Sequence, residues 1–141
     1  MNELTDYGAD RCLECGSCTD VCPSARHGGI IPEEVVKAVS EGRPAENIWK
    51  CLQCHRCSAA CPEDIDVAGL ICHLRNEASA SGDIPERFKR SAAQMKKDLR
   101  MYPIIGRTAS QRSDLGLSTG EISEDERTKV SSMLRGAGFD E

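Results

Sequence analysis

Eight cysteines stand in two runs of one pattern, Cys12-Leu-Glu-Cys15-Gly-Ser-Cys18-Thr-Asp-Val-Cys22-Pro23 and Cys51-Leu-Gln-Cys54-His-Arg-Cys57-Ser-Ala-Ala-Cys61-Pro62. Both read C-x2-C-x2-C-x3-C-P, the spacing of a pair of four-iron, four-sulfur clusters in which the fourth cysteine of each run serves the other cluster. The pattern therefore groups Cys12, Cys15, Cys18 and Cys61 on one cluster, and Cys51, Cys54, Cys57 and Cys22 on the second. The chemistry implied is the uptake and release of single electrons.

The spacing has a physical reason. Two intervening residues let a looped backbone turn its thiolates toward one small cube, so a short segment covers three corners and the fourth ligand comes from elsewhere. Pro23 and Pro62 lack an amide donor and fix φ, bending the chain away after the last ligand. Small residues such as Gly16, Ser17, Ser58 and Ala59 let backbone amides approach the cluster sulfurs, and such hydrogen bonds help to set the potential. Zinc is the rival, because paired C-x2-C units also build closed tetrahedral sites. It has no use for a third cysteine at the same interval and a fourth before proline, repeated twice.

Clusters bound by four thiolates are anions, and Arg11, Lys50 and Arg56 beside the ligands are candidate counter-charges. His55, inside the second run, is a bystander where all four cysteines are present. Cys72, the ninth cysteine, lies off the apolar face of its segment; free cysteine is expected to behave as a small buried hydrophobe. His27 and His73 lack ligand spacing and are expected at the surface.

Nine thiols in a chain of 141 residues cannot all pair, and the chain holds only two Phe, two Tyr and one Trp. Metal is thus expected to supply part of the stability that a small core does not. The segment from Met1 to Asp10 is acidic and polar rather than basic and then apolar, and no run approaches the roughly 18 apolar residues of a membrane span. A soluble, cytoplasmic protein is expected, with no membrane insertion. The net charge of −5 is modest, and the basic residues are scattered, which argues against nucleic-acid binding.

The elements around the runs read as helices. Pro32 at a first helical position, Glu33 and Glu34 in the first turn and Val35, Val36 and Val39 at helical spacing predict a helix ended by Gly42. A short helix is expected from Pro44 through Ile48 and Trp49 into Cys51, with Trp49 in the core. Asp66 is placed to cap a helix with Val67, Leu70, Ile71, Leu74 and Ala78 on its apolar face, ending near Gly82. No segment alternates over a strand's length. The fold class is therefore all-α: an alpha-helical ferredoxin with two pseudo-symmetric cluster motifs over residues 1–82, and a helical and irregular C-terminal arm over 83–141. In the arm, Ile84, Phe88, Ala92, Met95, Leu99 and Tyr102 predict one face of a third long helix. Irregular chain follows from Thr108 to Gly120, and a capping box, Ser123-Glu-Asp-Glu126, restarts a helix carrying Val130, Met133, Leu134 and Phe139. The arm holds too few apolar residues for a second core and is expected to dock on a partner subunit, with packing back on the cluster domain as the alternative.

The paired runs, the linker and the Ile48-Trp49-Lys50-Cys51 approach resemble the C-type iron-sulfur subunits of heterodisulfide reductases, over about Arg11 to Gly82, with a weaker similarity at Arg112 to Leu117. The resemblance implies a helical ferredoxin subunit in a hetero-oligomeric oxidoreductase. Such a protein relays electrons from a flavin/iron-sulfur subunit to a cysteine-rich catalytic subunit that reduces a disulfide, with the eight cysteines as ligands and no catalytic residue of its own. The chain carries no G-x-G-x-x-G after a strand and no acid/base constellation beside the runs, so any reaction is completed on another subunit. Two other readings fit the motifs. One is the iron-sulfur subunit of a quinone-linked flavin dehydrogenase of the succinate, glycolate or glycerol-3-phosphate type; the other is a redox-inert, metal-stabilised interaction module.

Overall fold

The structure is a computed structural model, and it describes residues 6–118 and 120–136. Among the described residues every regular element is helical and none is a strand, as the absence of alternating segments predicts. The chain divides into two compact units, one ending at Ile84 and one beginning at Pro85.

The first unit is built on helices α1 (Ser17–Asp20), α2 (Pro32–Ser40), α3 (Arg56–Ala59) and α4 (Val67–Ala80), with 3-10 turns at Ala9–Arg11, Ala25–His27 and Ile48–Lys50. Pro32 starts α2, where its missing N–H costs nothing. Glu33 and Glu34 follow in the first turn, at the positive end of the helix dipole. Asp66 caps α4, its Oδ1 accepting the Gly69 N–H at 3.0 Å. A side chain at residue 69 would collide with that carboxylate, since a Cβ there would lie 2.2 Å from Asp66 Oδ2.

The buried faces of α2 and α4 meet. Val35 and Val36 from α2 and Val67, Leu70 and Ile71 from α4 form the core with Ile30 and Ile65. Each such side chain contributes roughly 1.5–3 kcal/mol on burial.

The duplication of the cysteine runs is also a duplication of backbone. Gly8 (φ 75), Glu14 (φ 51) and Gly16 (φ 76) in the first run are matched by Asn47 (φ 56), Gln53 (φ 51) and His55 (φ 58) in the second, all left-handed. The turn Ala9–Arg11 leads into Cys12 as Ile48–Lys50 leads into Cys51, and both cysteines are extended. Helix α1 matches α3; α2 packs on the first turn, and α4 packs on the second.

That symmetry corrects two expectations. The segment from Pro44 to Cys51 is not a helix but a loop closed by the turn Ile48–Lys50. Asn47 must turn left-handed so that Cys51 can emerge extended, and the loop geometry overrides helix propensity. Trp49 does not join the core; it is half-buried, with the Arg75 guanidinium 5.5 Å from its ring centroid.

The second unit contains α5 (Glu86–Asp98), α6 (Gly106–Asp114) and α7 (Glu124–Gly136). None of the three buries a residue. Helix α5 is shorter than the apolar spacing suggests: Pro85 precedes it, and Leu99 ends it in a left-handed conformation (φ 54), so Ile84 and Tyr102 lie outside it. Helix α6 falls where irregular chain was expected, because its sequence has no apolar face to announce it. The capping box forms as predicted: Ser123 Oγ accepts the Glu126 N–H at 3.3 Å, and Glu126 Oε2 accepts the Ser123 N–H at 2.9 Å. Val130 and Leu134 are half-buried and Met133 is exposed, while Phe139 lies outside the described residues. No helix among the described residues is long and apolar enough to cross a membrane.

Candidate metal centres

Each run coils its backbone through two left-handed residues before its short helix begins. Alternating right- and left-handed residues turn successive N–H groups to one side, which makes a concavity suited to an anion. Two cavities result. Cys12, Cys15, Cys18 and Cys61 line the first. Cys22, Cys51, Cys54 and Cys57 line the second. In each, three cysteines come from one run and the fourth from the other.

Hydroxyl groups and one guanidinium hold the loops in place. Thr19 Oγ1, in α1, accepts the Glu33 N–H at 3.3 Å, and Ser58 Oγ, in α3, accepts the Ala68 N–H at 2.9 Å. Each run thereby caps the helix that follows it, which lines the same cavity through Glu33 and Val36 in α2 and through Ala68 and Ile71 in α4. Ser24 Oγ donates to the Lys50 carbonyl at 2.8 Å and accepts the Ile30 N–H at 3.3 Å, tying the end of the first run to the start of the second. Ser40 donates to the Ala9 carbonyl at 3.2 Å. At the matching place Arg75 donates to the Ile48 carbonyl at 2.9 Å and to the Cys51 carbonyl at 2.6 Å. Sequence reasoning missed the roles of Thr19, Ser24, Ser40 and Arg75; a hydroxyl at matching places in the two runs, Thr19 and Ser58, is the signal that was legible.

The sulfurs differ in surroundings. Cys22 and Cys57 are buried, Cys15 and Cys54 are exposed, and the other four lie between. Burial pushes the Cys18 thiol up to about 11. It also raises Cys57, and the Ser17 hydroxyl lowers Cys15. Deep thiols of this kind give up their protons only when metal binds, so binding and deprotonation are one event. Cys51 Sγ accepts the Gln53 backbone N–H at 3.3 Å, and the Gln53 amide nitrogen lies 3.7 Å away. Helices α1 and α3, which carry Cys18 and Cys57, pack on one another, which makes the two cavities neighbours.

The donor sets fit a four-iron cluster better than a single ion. A four-coordinate zinc holds all its sulfurs about 2.3 Å from one centre. Four cysteines instead ring each cavity from several sides.

The remaining candidates fall outside this arrangement or at its edge. His55 and Arg56 border the second cavity, and His55 is exposed. Arg11 is exposed, and Lys50 Nζ lies 3.5 Å from the Gly28 carbonyl. Cys72 is exposed on α4 rather than buried, because its position faces away from the α2 contact. His27 is exposed as expected. His73 is not a surface residue: its side chain is only 19% exposed, and its ring lies 5.6 Å from that of Tyr7.

Comparison with known proteins places these cavities in a family. A profile described as "4Fe-4S dicluster domain" matches residues 8–65, a span that contains all eight cysteines. The chain is 28% identical to the C2 subunit of the H(2)/formate:CoB-CoM heterodisulfide,ferredoxin reductase of Methanococcus maripaludis, over 92% of this chain and 75% of that one. It is also 28% identical to a C-type iron-sulfur subunit of the CoB-CoM heterodisulfide reductase of Methanocaldococcus jannaschii, over 92% and 74%. To the C-type subunit of the Ferredoxin:CoB-CoM heterodisulfide reductase of Methanosarcina acetivorans it is 30% identical, over 94% of this chain and 63% of the relative. Its helical fold, the dicluster domain over residues 8–65 and these relatives make the chain similar to the C-type subunits of heterodisulfide reductases, as an iron-sulfur electron-transfer protein.

Proposed function

We propose that this chain is the non-catalytic electron relay of a cytoplasmic heterodisulfide reductase-like complex. In this reading Cys12, Cys15, Cys18 and Cys61 hold one four-iron cluster, and Cys22, Cys51, Cys54 and Cys57 hold a second. Electrons pass between a flavin/iron-sulfur subunit and a cysteine-rich subunit on which the disulfide is reduced. The observation that carries the proposal is the crossed gathering of eight cysteines around two adjoining cavities. A four-iron cluster bound by thiolates supplies a one-electron couple.

The chain's own residues give that couple a place and two exits. The core and the Cys22 and Cys57 sites exclude water from the inner side. Cys15 and Cys54 stand at the outer side, each beside an exposed leucine, Leu13 at 64% and Leu52 at 65%. One outer corner can meet a donor and the other an acceptor. The arm, residues 83–141, docks on one of the two partners. It carries Met101, Tyr102, Ile105, Leu115 and Met133 exposed, and none of its described residues is buried.

Anaerobic purification tests the reading. The protein should hold about eight irons and eight acid-labile sulfides per chain and copurify with a flavin subunit and a second cysteine-rich subunit. Stoichiometric zinc without sulfide, or copurification with a membrane quinone enzyme, would overturn it.

A further inference from the structure

The two cavities are related by a duplication, so their linings can be compared position by position. Most pairs are alike: Leu13 matches Leu52, Pro62 matches Pro23, Val36 matches Ile71, and Ile65 matches Ile30. Where the linings differ in charge, the difference runs one way. The first cavity has Ser17, Glu33 and Glu63 where the second has Arg56, Ala68 and Ser24.

Glu33 and Glu63 are both half-buried. Glu33 Oε2 lies over Gly16, in the middle of the first run, 3.7 Å from where a Cβ would stand. Its negative charge is felt at both Cys15 and Cys18. Behind the second run stands a cation instead: Arg75, half-buried, bonded to the Cys51 carbonyl, where the first run has only the Ser40 hydroxyl. Other charges cancel. Arg11 and Lys50 are matching cations, and Glu14 is paired with Lys37 at 2.9 Å where the second run has neutral Gln53.

Added negative charge near a cluster disfavours its reduction, while positive charge and N–H donors on its sulfurs favour it. Gln53 brings such donors to Cys51, and Ser17 brings one hydroxyl to Cys15 at 3.4 Å. A single dipole does not offset two carboxylates, whose fields fall off more slowly with distance.

We infer that the two sites are redox-inequivalent by construction: the cluster of Cys22, Cys51, Cys54 and Cys57 has the higher reduction potential and receives the first electron. The inference rests on the ligand grouping proposed above. In each step one electron from the reductant, dithionite in the test, takes one cluster core from its 2+ to its 1+ state. No bond breaks and no proton has to move. Within the chain an electron therefore runs from the Glu33/Glu63 side to the Arg56/Arg75 side, and the carboxylates set that direction.

Potentiometric titration of the anaerobic holoprotein, read by the electron paramagnetic resonance of the reduced clusters, tests this. The wild type should show two separate one-electron steps. The double variant Glu33→Gln/Glu63→Gln should raise only the lower step, by about tenfold in its equilibrium constant, which is 59 mV for one electron. Arg56→Gln should lower only the upper step. Coincident steps in the wild type, or carboxylate substitutions that move the upper step, would overturn the inference while leaving the ligand grouping intact. A protein with fewer than two clusters would instead overturn the grouping itself.

Discussion

Ser24 and Lys50 are distant in sequence, yet the Ser24 hydroxyl donates to the Lys50 carbonyl at 2.8 Å. Ser24 follows Pro23, and Lys50 precedes Cys51, so this bond joins the tail of one run to the head of the other. The same oxygen accepts the N–H of Ile30, one of the fully buried residues of the core. Ser24 thus brings Cys22 beside a loop to which it does not belong in sequence. Ser24→Ala should leave two backbone groups without partners and cost about 1–3 kcal/mol. Anaerobic denaturation of the holoprotein would read this as a lowered midpoint, with the cluster of the second cavity lost first. An unchanged midpoint would show that the bond holds nothing.

His55 occupies a left-handed position, φ 58, that the first run fills with Gly16. A side chain there costs roughly 1–2 kcal/mol, part of which glycine would return as unfolded-state entropy. His55→Gly should therefore keep the full iron content and raise the stability read from anaerobic denaturation by up to about 1 kcal/mol. Loss of iron in this variant would make His55 a ligand.

What could be read from the residues, and what could not, divides along a physical line. The grouping of cysteines around the two cavities, the start of α2 at Pro32 and the cap of α4 at Asp66 follow from local rules of spacing, ring geometry and capping. The errors arose where one local preference met a stronger constraint. Pro44 to Lys50 has helix-like residues, but Cys51 must leave its turn extended. Trp49 is large and aromatic, but it sits in that turn and lies against Arg75. Helix α6 was invisible to periodicity because it has no apolar face. Arg75 could not have been found from sequence at all, since its partners Ile48 and Cys51 are carbonyls brought to it by the fold.

The exposed apolar side chains of the arm make its docking role measurable. Tyr102 is 74% exposed and Leu115 is 73% exposed. The double variant Tyr102→Glu/Leu115→Glu should retain wild-type iron and sulfide while losing at least about tenfold in affinity for its partner subunit, or about 1.4 kcal/mol. Undiminished copurification would place the docking surface elsewhere.

Acid should act on the arm through one carboxylate. The Ser123 hydroxyl, and then its backbone N–H, hold the Glu126 carboxyl below its ordinary 4.5. A folded-state value below the unfolded one means that the cap's contribution is complete above the ordinary value and disappears as pH falls through the lowered one. The amide of Arg127, bonded to the Ser123 carbonyl at 2.9 Å, should lose protection, measured as its exchange rate relative to an unstructured peptide at the same pH, as the solution is acidified through that range. In Glu126→Gln the acid-induced change should vanish, because glutamine caps without titrating. An acid response that persists in the glutamine variant would assign it to another group.

The crossing of the ligands is the central claim, and one set of single variants tests it most directly. Cys22→Ala, Cys54→Ala, Cys61→Ala and Cys15→Ala are each prepared anaerobically, and the spectrum of the cluster that survives is recorded. The account predicts two matching pairs: Cys22→Ala leaves the same surviving spectrum as Cys54→Ala, and Cys61→Ala leaves the same one as Cys15→Ala. If Cys22→Ala instead matches Cys15→Ala, each run serves its own cluster and the crossed arrangement is wrong.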